Sequence, residues 1–341
     1  MPVLDILIAL LPVIVFLVAL LVMDSFKLVR IRAVLMAIGF GVLAAIVCLE
    51  LHEAVGRLVS PAILKHAIAP VTEESAKAAL IVWFLARRRL GFSVDAAIAG
   101  FAVGAGFAVA ENVDYLRNVA DARIWVWIVR GLGTAILHGA TTSIFAMMAR
   151  SLWERQPGKP LRAIAAGWLA AVGLHAAYNN MLLPPLAATM VMLIVLPIVI
   201  LIVFRRSEAA THEWVTGGLD LDLELLQLLE SEDFAHTRFG VYLRELKDRI
   251  RGPIVADMFC LLRLEIELAV QAKALLMARQ AGLHVPPTDD LRASLDERRY
   301  LETSIGRTGL LALEPLQVTS DRDRWHRYLL EQIRGVPRAG P

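Results

Sequence analysis

Two cysteines in 341 residues, Cys48 and Cys260, give no material for a disulfide framework. Neither stands in a CxxC or CxxH pair, so both read as small apolar fillers rather than metal ligands. The sequence also has no HExxH, the commonest helical signature of a zinc protease. Its second half gathers no basic face, which argues against nucleic acid as a partner. The opening MPVLD carries no basic n-region, and no small-residue cleavage site follows. The first apolar run is therefore expected to stay as a span rather than be removed as a signal.

What the chain has in abundance is long apolar sequence. The hydrophobic fraction is 57% and the mean hydropathy +0.59, above the roughly 45–50% apolar usage of soluble domains. The excess lies before Ser207. Residues 1–206 hold 18 Lys and Arg against 11 Asp and Glu, a net +7, whereas residues 207–341 hold 17 against 22, a net −5. The expected organisation is a membrane bundle over 1–206 and a soluble helical domain over 207–341, all-α throughout.

A helix needs about 20 apolar residues to cross the hydrocarbon core. By that measure about seven spans are expected, near 4–23, 33–50, 67–87, 92–112, 124–149, 163–182 and 186–204. Basic residues cluster after the odd-numbered spans: Lys27, Arg30 and Arg32; Arg87, Arg88 and Arg89; Arg150, Arg155, Lys159 and Arg162; Arg205 and Arg206. The positive-inside rule then puts the N-terminus outside and residues 207–341 in the cytoplasm. Trp125 and Trp127 fit an outer aromatic belt.

Against this background Glu73 and Glu74 stand out. A carboxylate deep in a bilayer is unfavourable by a few kcal/mol on insertion scales, and an adjacent pair by more. Three further spans carry polar groups: Glu111 with Asn112, Arg130 with His138, and His175 with Asn179. Counting roughly 1.5 Å per residue from the basic loops places the Glu73/Glu74 pair, His138 and His175 at similar depth in the outer half of the membrane, with Glu111 near the outer rim. Lys77 is four residues from Glu73 and three from Glu74, so it can partner either. Gly100 and Gly104 form a GxxxG suited to close helix packing. Arg130 reads best as the ion-pair partner of a buried acid.

Polar side chains in membrane bundles often serve only as interhelical glue. Asn or Gln would do that with far less desolvation than three carboxylates. Two like charges side by side in a dry site cannot both ionise easily, so one suits taking a proton from water and returning it to a leaving group. Histidine and asparagine donors could stabilise an oxyanion. This chemistry is amide hydrolysis by activated water. A second version uses metal: Glu111, His138 and His175 form a one-carboxylate, two-histidine set for Zn2+, leaving a Glu73 or Glu74 carboxylate as base. The rival from another class is a proton- or ion-coupled transporter using the same Glu/His cluster. Transporters often repeat a broken-helix motif, and no second copy of the Glu-Glu motif is present.

The stretches Glu73-Glu74-Ser-Ala-Lys77, Phe107-Ala-Val-Ala-Glu111-Asn112, Arg130 to His138 and His175-Ala-Ala-Tyr178-Asn179 resemble the ordered motifs of the PrsW family of bacterial intramembrane proteases. These are distantly related to the CAAX-processing and bacteriocin-immunity proteases. The resemblance covers about residues 60–182. It implies site-1-type cleavage of a single-span membrane protein, such as an anti-sigma factor, near the outer face of a bacterial inner membrane. Glu73 or Glu74 would activate water, Glu111, His138 and His175 would complete the site, and Asn179 would help hold the oxyanion. Lys77 in place of a later arginine, and Glu111 in place of a histidine, separate the chain from the CAAX-type relatives. Whether the mechanism is glutamate-only or metal-assisted stays open.

In the acidic half, Pro253 predicts the start of a long helix to about Gln280, with Gly282 as its stop. Ser320 and Asp323 resemble a capping box for a last helix to about Arg334. The stretch LDLDLELLQLLE reads as an amphipathic helix or tether. His236 and His326 are expected at the surface. This half is expected to be regulatory or to bind a cytoplasmic protein partner.

Overall fold

Apolar residues point outward along several helices of the first half of this chain, the inverse of a water-soluble bundle. The computed structural model describes residues 3–24, 26, 28–119, 123–156, 159–180, 183–283, 288–313 and 329–330. Within them Val15, Val18 and Val22 are more than half exposed, as are Leu35, Val47, Ile194 and Ile198. In water such a surface would drive association; in a bilayer it faces lipid.

The helices run in order as α1 (Val3–Met23), α2 (Ile31–Gly56), a single turn α3 (Pro61–Ile63), α4 (Ala69–Ala86), α5 (Ser93–Asn118), a short α6 (Ile124–Ile128), α7 (Ala135–Arg155), α8 (Pro160–Asn179) and α9 (Pro185–Glu230). Two π-helical turns interrupt them, Leu64–Ile68 ahead of α4 and Val129–Thr134 ahead of α7. Among the described residues no strand occurs, and six helices are long and apolar enough to cross a membrane. These are α1, α2, α5, the run Ile124–Arg155, α8 and α9. The expected third span differs: α4 is a helix, but its 18 residues include Glu73, Glu74 and Lys77, and it falls outside that set. Its polar side chains are tolerated because they face protein, with Glu73, Glu74, Lys77, Leu80, Ile81 and Phe84 all buried.

Helix α5 is the centre of the bundle, buried without a break from Val94 to Ala108. Its Ala- and Gly-rich face explains why. A Cβ on Gly104 would overlap the carbonyl of His138, and one on Gly100 would lie 2.6 Å from the carbonyl of Thr142. The GxxxG stripe thus lets the backbones of α5 and α7 meet. The N-terminus of α5 is held by Asp95, whose carboxylate accepts from Gly91 N at 2.7 Å and Phe92 N at 2.9 Å. Helix α4 ends on Arg88, at φ 54°. Arg89 N donates to Phe84 O and Arg88 N to Leu85 O, each at 2.9 Å, the paired bonds of a Schellman stop.

The chain divides into two compact units, Met1–Glu208 and Ala209–Pro341, and α9 contributes residues to both. LDLDLELLQLLE is helical as the end of α9. The second unit also contains α10 (Arg238–Leu246), α11 (Gly252–Gln280) and α12 (Asp289–Leu313). Pro253 stands in the first turn of α11, and Gly282 at φ 76° follows its end. Inside this unit the buried Lys273 donates to Asp222 at 2.6 Å, and Arg298 pairs with Glu265 and Glu302. His236 ends a short 3-10 turn, Glu232–His236, and is exposed. The expected helix to Arg334 and His326 lie outside the described residues.

Candidate active site

Four helices bring their polar residues to one place in the first unit. Glu73, Glu74 and Lys77 come from α4, Glu111 and Asn112 from α5, His138 and Thr141 from α7, and His175 from α8. Arg130 comes from the π-helical turn before α7. Such turns re-aim side chains and recur at functional sites.

The two adjacent glutamates have different surroundings. Glu74 Oε1 accepts from Lys77 Nζ at 2.6 Å and from Thr141 Oγ1 at 3.1 Å, and lies 2.8 Å from His175 Nδ1. Both Lys77 and Glu74 are almost fully buried, at 0% and 2% exposure. Glu74 is thus the charge partner of Lys77 and lies against the ring of His175. Glu73 Oε2 is buried and makes no hydrogen bond among the described residues. It faces His175 Nε2 at 3.8 Å and His138 Nδ1 at 3.9 Å.

The other nitrogen of His138, Nε2, lies 2.8 Å from Glu111 Oε2. Glu111 Oε1 is 3.2 Å from Arg130, whose guanidinium also donates to Asn112 Oδ1 at 3.0 Å and stacks over Tyr115 at 4.0 Å. Asn112 in turn donates to Ala9 O at 2.8 Å, which ties the network to α1. The expected ligand set was Glu111, His138 and His175, and the structure places its carboxylate differently from Glu73. Glu111 sits on the far side of the His138 ring with both oxygens engaged. The carboxylate facing the two inward imidazole nitrogens is Glu73.

A cavity of about 520 Å³ opens beside the cluster. Glu73, Glu111, His138 and His175 line it, together with Tyr178 and Asn179. Asn179 Nδ2 donates to Lys65 O at 3.1 Å, so one amide N–H is used on the π-helical turn before α4 and the other is left over. The seven residues expected from the sequence (Glu73, Glu74, Lys77, Glu111, His138, His175 and Asn179) thus meet in one site or on its wall. The sequence reading did not include His52. Its Nδ1 is 3.9 Å from Glu73 Oε1 and its Nε2 is 2.7 Å from Thr72 Oγ1. Span two was expected to end near residue 50, whereas α2 continues to Gly56 and carries His52 to the site. Extending the helical face of that span by one turn would have found it.

A bundle of apolar helices closing around buried carboxylates and imidazoles beside a cavity has the makings of a membrane-embedded hydrolase. The sequence model described as PrsW family intramembrane metalloprotease matches residues 29–203, and the chain belongs to that family; it is an intramembrane protease. No curated protein and no solved structure matches it. Family membership leaves the transporter reading without support.

The family description implies a metal, and the residues fit one. One ligand atom each from Glu73, His138 and His175 lie within 4.8 Å of one another, all three residues buried. A carboxylate with two imidazoles is a donor set suited to zinc. The unpartnered Glu73 Oε2 is the atom that a cation would satisfy.

Proposed function

We propose that this protease hydrolyses a peptide bond of a single-span membrane protein near the outer face of a bacterial inner membrane, with Glu73 as proton acceptor for the attacking water. The observation that carries this reading is Glu73 Oε2 itself, buried, without a hydrogen bond, and facing two imidazole nitrogens on the wall of the cavity. Glu73 Oε2 is left without a hydrogen bond and so is available to a substrate water, whereas its neighbour Glu74 has three polar partners.

Glu73 takes a proton from water and delivers it to the leaving amine. Glu74 fixes His175 with Nδ1 toward the carboxylate and Nε2 toward the cavity. Glu111 fixes His138 in the same manner from the opposite side, and Arg130 balances its charge. The free N–H of Asn179 is available to the developing oxyanion. In the metal-assisted version Glu73, His138 and His175 would instead hold Zn2+, Glu73 then being a ligand rather than the proton acceptor, and the ion would supply Lewis-acid polarisation of the water and the carbonyl. The basic loops support an outside N-terminus, which puts the site in the outer half of the membrane and residues 207–341 in the cytoplasm as a regulatory or partner-binding domain.

The test is reconstitution of the full chain in liposomes with a panel of single-span envelope proteins, followed by mass spectrometry of the products. Cleavage within or just outside the outer half of the substrate span is expected, and its loss in Glu73→Gln and His175→Ala. Cleavage at full rate in both variants would overturn the assignment.

A further inference from the structure

Lys77 touches more than its ion-pair partner. Its ammonium lies 2.6 Å from Glu74 Oε1 on its own helix and 3.1 Å from His138 Nδ1 on α7, with the Phe107 ring 5.0 Å below it. It has no exposed surface. A lysine needed only to neutralise Glu74 would not require the second contact.

The state of His138 follows from its other nitrogen. Glu111 pairs with Arg130 at 3.2 Å, so its carboxylate is an acceptor without a proton to give. Glu111 Oε2 at 2.8 Å from His138 Nε2 therefore calls for a proton on Nε2. A neutral imidazole protonated there carries its lone pair on Nδ1, and Lys77 donates into that lone pair. The same Nδ1 faces Glu73 Oε2 at 3.9 Å and is the atom His138 would offer to a metal ion. Two cations claim one lone pair.

We propose that Lys77 is a built-in stand-in cation: it caps His138 Nδ1 when no divalent ion is bound, and a divalent ion must displace it to load. Glu74 makes the exchange feasible. Its Oε1 holds Lys77 independently of His138 and is itself held by Thr141 and His175, so the ammonium keeps its counter-charge when it lets go of the imidazole. The consequence is a site that stays assembled without metal and binds metal more weakly than its three ligands alone would allow. This inference rests on the metal-assisted reading of the site.

The experiment uses full-length protein in detergent, wild type and Lys77→Met. Zn2+ affinity is measured by competition with a chromophoric chelator. The tautomer of His138 in the chelator-treated protein is read from ¹⁵N-histidine NMR, with the signal assigned by its loss in His138→Ala. Lys77→Met is expected to bind Zn2+ at least about tenfold tighter, the size of effect typical of residues that touch metal ligands. His138 is expected to be protonated on Nε2, with the Nδ1 resonance moving toward that of a free lone pair when Lys77 is removed. Loss of the lysine charge alone would strengthen Zn2+ binding without that movement, so a stationary Nδ1 resonance overturns the proposal. Unchanged or weaker affinity in Lys77→Met overturns it too. If Lys77→Met does not fold, the wild-type spectrum still decides, because a proton on His138 Nδ1 excludes donation from Lys77. Absence of Zn2+ binding in both proteins defeats the metal-assisted reading and this inference with it. Equal, measurable binding in both defeats this inference alone.

Discussion

His175 Nδ1 lies 2.8 Å from Glu74 Oε1 while its Nε2 faces Glu73 Oε2 at 3.8 Å. One imidazole thus separates the roles of two adjacent carboxylates. Glu74 sits behind the ring and sets its direction; Glu73 sits in front, where the chemistry would be.

The separation predicts unequal consequences of removing charge. Glu74→Gln leaves the Lys77 ammonium buried without its counter-ion, and breaking so deeply buried a pair destabilises by about 3–5 kcal/mol. Thermal unfolding in detergent should show Glu74→Gln well below wild type and Glu73→Gln close to it. Equal melting of the two variants would mean that Glu74 carries no structural load.

Glu111 and Arg130 are partly exposed to the cavity, at 26% and 14% of their side chains, so their pair is screened and should contribute about 1 kcal/mol. The larger effect of Glu111→Gln is expected on activity, about tenfold, through the orientation of His138. A double-mutant cycle of Glu111→Gln with Arg130→Gln should show coupling, because the two side chains are in contact. Strict additivity in both stability and kcat/KM would break the proposed link.

Packing at the GxxxG stripe sets the position of His138. A methyl on Gly104 would overlap the His138 carbonyl, whereas one on Gly173 would meet nothing within 4 Å. Gly104→Ala should destabilise by about 1–3 kcal/mol as α7 is pushed away and should lower activity, while Gly173→Ala should leave both near wild type. Paired melting curves and cleavage rates check this, and a neutral Gly104→Ala would contradict the close approach of α5 and α7.

Much of this site was legible in the sequence because carboxylates and histidines in apolar helices are conspicuous. Glu73, Glu74, His138 and His175 could be singled out by the unfavourable desolvation of their positions alone. Their division of labour could not. Whether Glu111 or Glu73 faces the inward nitrogen of His138 depends on which side of one ring each helix passes, and that is fixed by the crossing of α5 and α7 at Gly104 and Gly100. His52 escaped because hydropathy falls before the helix does: α2 continues past the apolar run to Gly56. Span three is weak on hydropathy because polar residues interrupt it. Glu74 and Lys77 pair within α4, and Thr141 and His175 of neighbouring helices complete Glu74, so the segment need not be apolar to be buried.

Cation removal distinguishes the two versions of the mechanism. With a Glu73, His138 and His175 ligand set, a strong chelator should abolish cleavage and added Zn2+ should restore it in proportion to occupancy. Cleavage at full rate by protein shown by elemental analysis to hold less than stoichiometric metal would leave Glu73 acting on water unaided.

The most direct test of the account compares single-turnover cleavage by wild type and Glu73→Gln in liposomes, with folding of the variant verified by its melting curve. Loss of the proton acceptor should slow cleavage by about 10²–10⁴-fold in a protein that melts like wild type. Cleavage by a folded Glu73→Gln variant at the wild-type rate would show that this carboxylate does not activate the water.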